Sequence, residues 1–144
     1  MLGVVYRSTS YGSEETANHS HPVQPQLKAL IKRAKKALID QEMDYIYFVN
    51  EEEKNVECMR EAFGEQLIVL PRRRYTYYGF SEENPNPLYQ LGERYNTNIS
   101  YLTEIAWLSK CNGILGAMSS GTRAAIIWNQ GQYDYMEIID LGLW

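Results

Sequence analysis

No run of apolar residues in this chain approaches the roughly 18 that a membrane-spanning helix needs, and the opening Met1-Leu2-Gly3-Val4-Val5 is too short and too weakly flanked for a secretory signal. The chain therefore reads as soluble and cytosolic (cytoplasmic), with no transmembrane segment. Cysteine is scarce: Cys58 and Cys111 are the only two, and both fall inside helical patterns, which points to reduced, buried thiols and not to a disulfide framework. Basic charge is also short, with a net charge of -4 and a pI near 5.2. A protein that coats nucleic acid needs a broad basic face to displace counterions, so nucleic acid is not expected as a partner and any phosphate recognition must be local. Neither a P-loop nor a G-x-G-x-x-G fingerprint occurs, which lowers NTPase and dehydrogenase readings. A nucleophile elbow is missing too: Gly116-Ala117-Met118-Ser119-Ser120-Gly121 has one residue too many for G-x-S-x-G, and both histidines precede it. His19 and His21 are too weak a ligand pattern to imply a metal, and no cofactor is expected.

What is present fits one globular domain spanning residues 1–144, with 44% hydrophobic and 22% charged residues. Leu2 to Tyr6 is a short apolar run, read as a buried strand, and a polar stretch to His21 follows it as a loop. From about Gln26 to Gln41, Leu27, Leu30, Ile31, Ala34 and Leu38 recur at helical spacing, with Lys28, Lys32, Lys35 and Lys36 on the other face. Tyr45 to Val49 is a nearly continuous β-prone run, as expected of a strand covered on both faces. Asn50 is the expected cap of the next helix, with Glu51, Glu52 and Glu53 in its first turn, Val56, Met59 and Phe63 on its buried stripe, and Gly64 at its end.

Leu67 to Leu70 reads as a further strand, closed by Pro71. Arg72 to Asn98 shows no clean period and is expected to be loop with at most a turn of helix; a loop of that length in a compact domain is usually functional. Its Arg72-Arg73-Arg74 cluster reads first as a solvated strand end, and otherwise as a contact for phosphate or an acidic acceptor. Tyr dominates the aromatics, with 12 Tyr against 3 Trp and 3 Phe; it suits sugar or base stacking and half-exposed strands equally. Helical spacing resumes at Ile99 and ends near Asn112-Gly113. Ile114 to Ala117 is a strand, Met118 to Thr122 a tight turn, Thr122 to Asn129 a short helix and Tyr135 to Asp140 a last strand. This alternation predicts an α/β fold: a Rossmann-like, mainly parallel sheet with helices on both faces.

Ligands of such sheets gather outside the carboxyl ends of the strands. Two ends carry suitable chemistry. Arg7 directly follows the first strand, where a guanidinium can clamp phosphate oxygens. The turn Ser119-Ser120-Gly121-Thr122 opens a helix, so hydroxyls, backbone N–H groups and the helix dipole converge on one small anion. Each feature has a structural alternative, an ion pair for the arginine and a helix cap for the serines.

The blocks L-G-V-V-Y-R-S-T-S-Y, H-P-V-Q-P, Y-L-T-E-I-A-W-L-S-K-C-N-G-I-L-G-A-M-S-S-G-T-R-A-A and the terminal Y-M-E-I-I-D-L-G-L-W resemble, in order, the donor-binding half of GDP-fucose-dependent fucosyltransferases. The groups meant are the α-1,6-fucosyltransferases, including bacterial nodulation enzymes, and related capsule glycosyltransferases. The resemblance implies one half of a GT-B fold that holds a nucleoside-diphosphate sugar, GDP-fucose above others, without a required metal, for transfer to a glycan acceptor. It implies that Arg7 contacts the donor's β-phosphate and stabilises the departing GDP, since breaking the sugar–phosphate bond builds negative charge there. It further matches Ser119 and Ser120 to the phosphate-binding turn, Glu104 to an acidic residue accepting from guanine N–H groups, and His21 to the histidine of a donor-loop motif.

The chain also departs from that pattern. Ser8 and Ser10 stand where the family has an Arg or Gly and then an Asp, removing a ribose or base contact and a carboxylate near the reaction centre. Glu104 is one methylene longer than the usual Asp, which leaves the base preference open. An acceptor domain is not among these residues, so activity is expected to depend on a separate acceptor-domain chain, and self-association of the exposed flank is a further expectation. Two other functions stay open: a non-catalytic nucleotide or nucleotide-sugar binding module, and an interaction domain that keeps only the fold.

Overall fold

The computed structural model describes residues 1–7, 22–72, 74 and 93–143. Ser8, Ser10, His19, His21 and Arg73 lie outside the described residues. Strand β1 (Leu2–Val5) is followed by helix α1 (Leu27–Asp40), strand β2 (Ile46–Val49), helix α2 (Glu53–Phe63), a 3-10 turn (Gly64–Gln66), strand β3 (Leu67–Ile68), helix α3 (Glu93–Leu108), strand β4 (Gly113–Ala117), helix α4 (Ser120–Trp128) and strand β5 (Tyr135–Ile139). The five strands form one sheet in the order β3-β2-β1-β4-β5, with every pairing parallel. The arrangement is α/β and Rossmann-like.

The strand sequences explain why. β1, β2 and β4 are buried along their whole length, which their unbroken apolar composition allows only if helices cover both faces. Side chains then alternate between two cores. Leu2, Val4, Tyr6, Ile46 and Phe48 meet Leu30, Ala34, Val56 and Met59 of α1 and α2. Val5, Tyr47, Val49 and Ile114 meet Ile105, Leu108 and Ala125 of α3 and α4. Gly3 lies on this second face, and a Cβ there would come 2.3 Å from Leu108 Cδ1 and 3.2 Å from Cys111 Sγ. The lack of a side chain at Gly3 lets the end of α3 sit directly on the central strand.

The chain leaves β1 for one face and β4 for the other. The two strands are neighbours, so the crevice between their carboxyl ends is the topological switch point of the sheet.

Four local details differ from the sequence expectations. α3 begins at Glu93, well before Ile99, inside the stretch read as loop. Its outward side is apolar as well as its inward side, and that blurs the period that would have revealed it. β3 pairs only through Leu67 and Ile68, because it is an edge strand and the chain turns away toward Pro71. α2 takes Glu52, not Asn50, as its N-cap residue. Asn50 instead forms a turn before the helix, its Oδ1 accepting from the Glu52 N–H at 2.7 Å while its Nδ2 donates to the Tyr6 carbonyl at 2.6 Å. α4 begins at Ser120, slightly ahead of Thr122. Gly64 does end α2, with φ of 54°, a conformation that favours glycine. Cys111 is buried, Cys58 is partly so, and both are free thiols. Among the described residues no helix is long and apolar enough to cross a membrane.

Candidate functional site

The switch point carries a narrow recess. Arg7 enters it from the end of β1, Asn50 and Glu51 from the end of β2, Tyr101 and Glu104 from α3, and Ser119 and Gly121 from the start of α4. Val5, Val49, Ile105 and Leu108 form its apolar floor. The room for a water's centre is only about 10 Å³, enough for roughly one molecule. A larger ligand would rest on the rim and not inside.

Arg7 is placed by its position shortly beyond the buried β1. Its backbone N–H donates to Gln24 Oε1 at 3.3 Å, and its Nη1 donates to Glu51 Oε1 at 2.9 Å. The pair is about one-fifth exposed on each side, so it stands at the solvent edge of the recess. The guanidinium is held by a carboxylate yet within reach of a ligand on the rim.

The serine turn divides its labour. Ser119 has extended backbone and caps α4, its Oγ accepting from the Thr122 N–H at 3.2 Å. Thr122 Oγ1 donates to the Ala117 carbonyl at 2.8 Å. Its single proton is thereby used, so in the 2.9 Å contact between the two hydroxyls Ser119 is the donor. Ser119 and Thr122 are both buried and their hydroxyls hold the turn together. Ser120, between the lining residues Ser119 and Gly121, is exposed. The N–H groups of Ser120 and Gly121 belong to the first turn of α4, where a helix offers no internal acceptor and the dipole favours an anion. Gly121 leaves room for the Tyr101 side chain: a Cβ would lie 2.5 Å from its hydroxyl oxygen.

Glu104 sits in the wall of the recess, 1% exposed. Its Oε2 accepts from Arg72 Nη1 at 2.5 Å. Its Oε1 is 3.9 Å from Arg74 Nη2 and has no hydrogen-bond partner among the described residues. Burial pushes its carboxyl up to about 7, against the opposing pull of Arg72 and then Arg74. The Arg74 side chain is also buried, donating to the carbonyls of Leu70 at 2.8 Å and Asn50 at 3.4 Å, and burial lowers its pKa. Arg72 and Arg74 are therefore not a solvated strand end. Arg72 pairs with Glu104, and Arg74 lies beside it while satisfying carbonyls beyond the ends of β2 and β3.

Of the residues singled out in the sequence, Arg7, Glu104, Ser119 and Gly121 line one recess, Ser120 lies between the last two in the chain and Thr122 follows them. His21 falls outside the described residues. Sequence reasoning gave no site role to Tyr101, Asn50 or Glu51, and did not connect Arg72 and Arg74 with Glu104. A signal for part of this existed: Tyr101, Glu104, Ile105 and Leu108 follow the i, i+3, i+4, i+7 pattern of a core-facing stripe, so Glu104 had to be buried and in need of a cation. Among the described residues no group of His, Cys, Asp or Glu is arranged to hold a metal ion. Neither a protein-family model nor a curated protein sequence matches the chain.

Proposed function

We propose that this domain binds a nucleoside-diphosphate sugar at the switch point, as the donor-binding part of a fucosyltransferase-like glycosyltransferase, with GDP-fucose as the donor and a glycan as the acceptor. One observation carries the reading: Arg7 and the first turn of α4 border the same recess at the carboxyl ends of β1 and β4. A guanidinium on one side and helix N–H groups on the other are the two halves of a diphosphate clamp. The resemblance of these same segments to fucosyltransferase donor domains supplies the class of donor.

On this reading the diphosphate lies across the rim, with the N–H groups of Ser120 and Gly121 on one phosphate and Arg7 on the phosphate that becomes the leaving group. Charge builds on that phosphate as the sugar departs, and a fixed cation beside it lowers the barrier. Isothermal titration of GDP, UDP and GDP-fucose into the wild type and Arg7→Ala tests the proposal. Loss of a charge-assisted contact should cost about 1.5 to 3 kcal/mol, roughly tenfold to more than a hundredfold in affinity. Absence of binding heat with all three ligands, or equal affinity in the variant, would refute it.

A second reading, a nucleotide-sugar binding module without transfer activity, is favoured by Ser8 and Ser10 standing where the resembled family carries an Arg or Gly and an Asp. GDP-fucose bound without hydrolysis or transfer to any offered glycan would select it.

A further inference from the structure

Helix α3 carries apolar residues on an exposed stripe as well as on its sheet-facing one. Tyr101, Ile105 and Leu108 face the sheet, while Tyr95, Ile99 and Leu102 are 73%, 45% and 48% exposed and Ala106 is exposed beside them. These four residues are spaced four, three and four apart, which is the d-a-d-a repeat of a two-heptad coiled-coil seam. An apolar stripe of this length on the outside of a helix is the pattern of a helix–helix contact. The contrast with α1 and α2 is plain, since their outer faces are charged: Lys28, Lys32, Arg33, Lys35 and Lys36 on one, Lys54, Glu57, Arg60 and Glu61 on the other.

Two features single out the partner. From Tyr95 to Ser109 the only charged residue is Glu104, and it is turned inward. The ridge and its flanking Asn96, Asn98 and Thr103 thus carry no charge, and two copies of a chain with net charge -4 can meet there without opposing like charges. The ridge is also symmetric about its own middle. Tyr95 and Ile99 lie as far before the Ser100–Tyr101 peptide bond as Ala106 and Leu102 lie after it, which is also the centre of α3. Antiparallel pairing of two such helices about a two-fold axis sets Ile99 against the other copy's Leu102 and the large Tyr95 against the small Ala106. A two-fold interface requires that self-complementarity.

We propose that the chain forms a homodimer through antiparallel pairing of α3 with the α3 of a second copy. One helix pair buries less than the roughly 1,200 Å² at the lower bound of standard interfaces, so the dimer is weak and concentration-dependent. The pairing is independent of the ligand reading, because none of the four ridge residues lines the recess at the switch point.

Sedimentation velocity over a concentration series, from micromolar upward, tests it with wild type, Ile99→Glu and Leu102→Lys, circular dichroism serving as the check on folding. Wild type should pass from monomer to dimer. Each variant alone should stay monomeric, its dissociation constant raised by more than about tenfold by a charge placed in the seam. Mixing the two variants should restore a dimer. The carboxylate introduced at position 99 of one chain then faces the ammonium introduced at position 102 of the other, while Leu102 of the first faces Ile99 of the second; a parallel pair would bring neither contact. A wild type that stays monomeric throughout, leaving the ridge to a different protein, overturns the proposal. So does a dimer that the single variants leave intact, or a mixture that fails to re-form one.

Discussion

Arg7 and Glu51 face each other at 2.9 Å on the edge of the recess, and a diphosphate arriving there must share the guanidinium with a carboxylate of its own sign. On the proposed reading, Glu51 orients Arg7 at the cost of like-charge repulsion toward the ligand. Glu51→Gln keeps a hydrogen-bond acceptor and removes the charge. It should therefore tighten GDP binding, by up to about fivefold for an interaction near 1 kcal/mol at a partly exposed site, and titration calorimetry reads that directly. Weaker binding in the variant would mean that Glu51 matters more as a fixed support for Arg7 than as a competitor.

The buried Glu104 poses a different residue-scale question. Its pKa is raised in the folded protein to about 7 from the usual carboxylate value, so between about 4.5 and 7 the native state binds more protons than the unfolded chain. Stability from this group is thus fully present below the unfolded pKa and declines as pH rises through the folded one. Urea unfolding at a series of pH values should show a fall across that interval, and Glu104→Gln should flatten it. Glu137 works in the opposite direction, since its pKa is lowered despite some burial by hydrogen bonds from Tyr135 and Arg33; its loss of stability comes only at more acidic pH. A wild-type profile that is flat from pH 5 to 8 would show that Arg72 and Arg74 hold Glu104 fully ionised.

Among the elements, α4 is where structure and binding are easiest to confuse. The hydroxyl of Ser119 is spent on Thr122, whereas the N–H groups of Ser120 and Gly121 have no acceptor within the helix. Ser119→Ala should therefore destabilise the domain by about 0.5 to 2 kcal/mol through loss of the cap, yet change GDP affinity far less than Arg7→Ala does. Denaturation and calorimetry on the same variant separate the two effects; a loss of affinity equal to that of Arg7→Ala would place the hydroxyl on the ligand. The elements themselves were legible in the sequence to different degrees, for physical reasons. α1 was clear because its lysines and leucines occupy opposite faces. The buried strands were clear because covered strands read as continuous β-prone runs. The first half of α3 was hidden because Tyr95, Asn96, Thr97 and Asn98 are poor helix formers and the ridge on its outer side repeats out of phase with the inner one. Arg7 and the Ser119 turn were legible as strand-end and helix-start chemistry. The pairing of Glu104 with Arg72 and Arg74 spans some thirty residues of chain and depends on how α3 lies beside the segment that follows β3, which no local pattern encodes.

For the whole molecule, the strand order determines what ligand binding should do to stability. β1 and β4 are neighbours in the sheet but far apart in sequence, and each contributes one side of the recess. A ligand that grips Arg7 and the α4 N-terminus together therefore cross-links the two halves of the fold and binds only when both are in place. Binding to the native state alone stabilises by RT ln(1 + [L]/Kd), about 2.7 kcal/mol at a hundredfold excess over Kd. For a domain of this size that corresponds to a rise in Tm of roughly 5 to 10 °C. Scanning calorimetry with GDP should show the rise in wild type and in Ser119→Ala, each measured at the same multiple of its own Kd. Arg7→Ala, scanned at the wild-type GDP concentration, should lose most of it. A rise of equal size in Arg7→Ala would mean that GDP binds away from the crevice between β1 and β4, and the diphosphate clamp would fall with it.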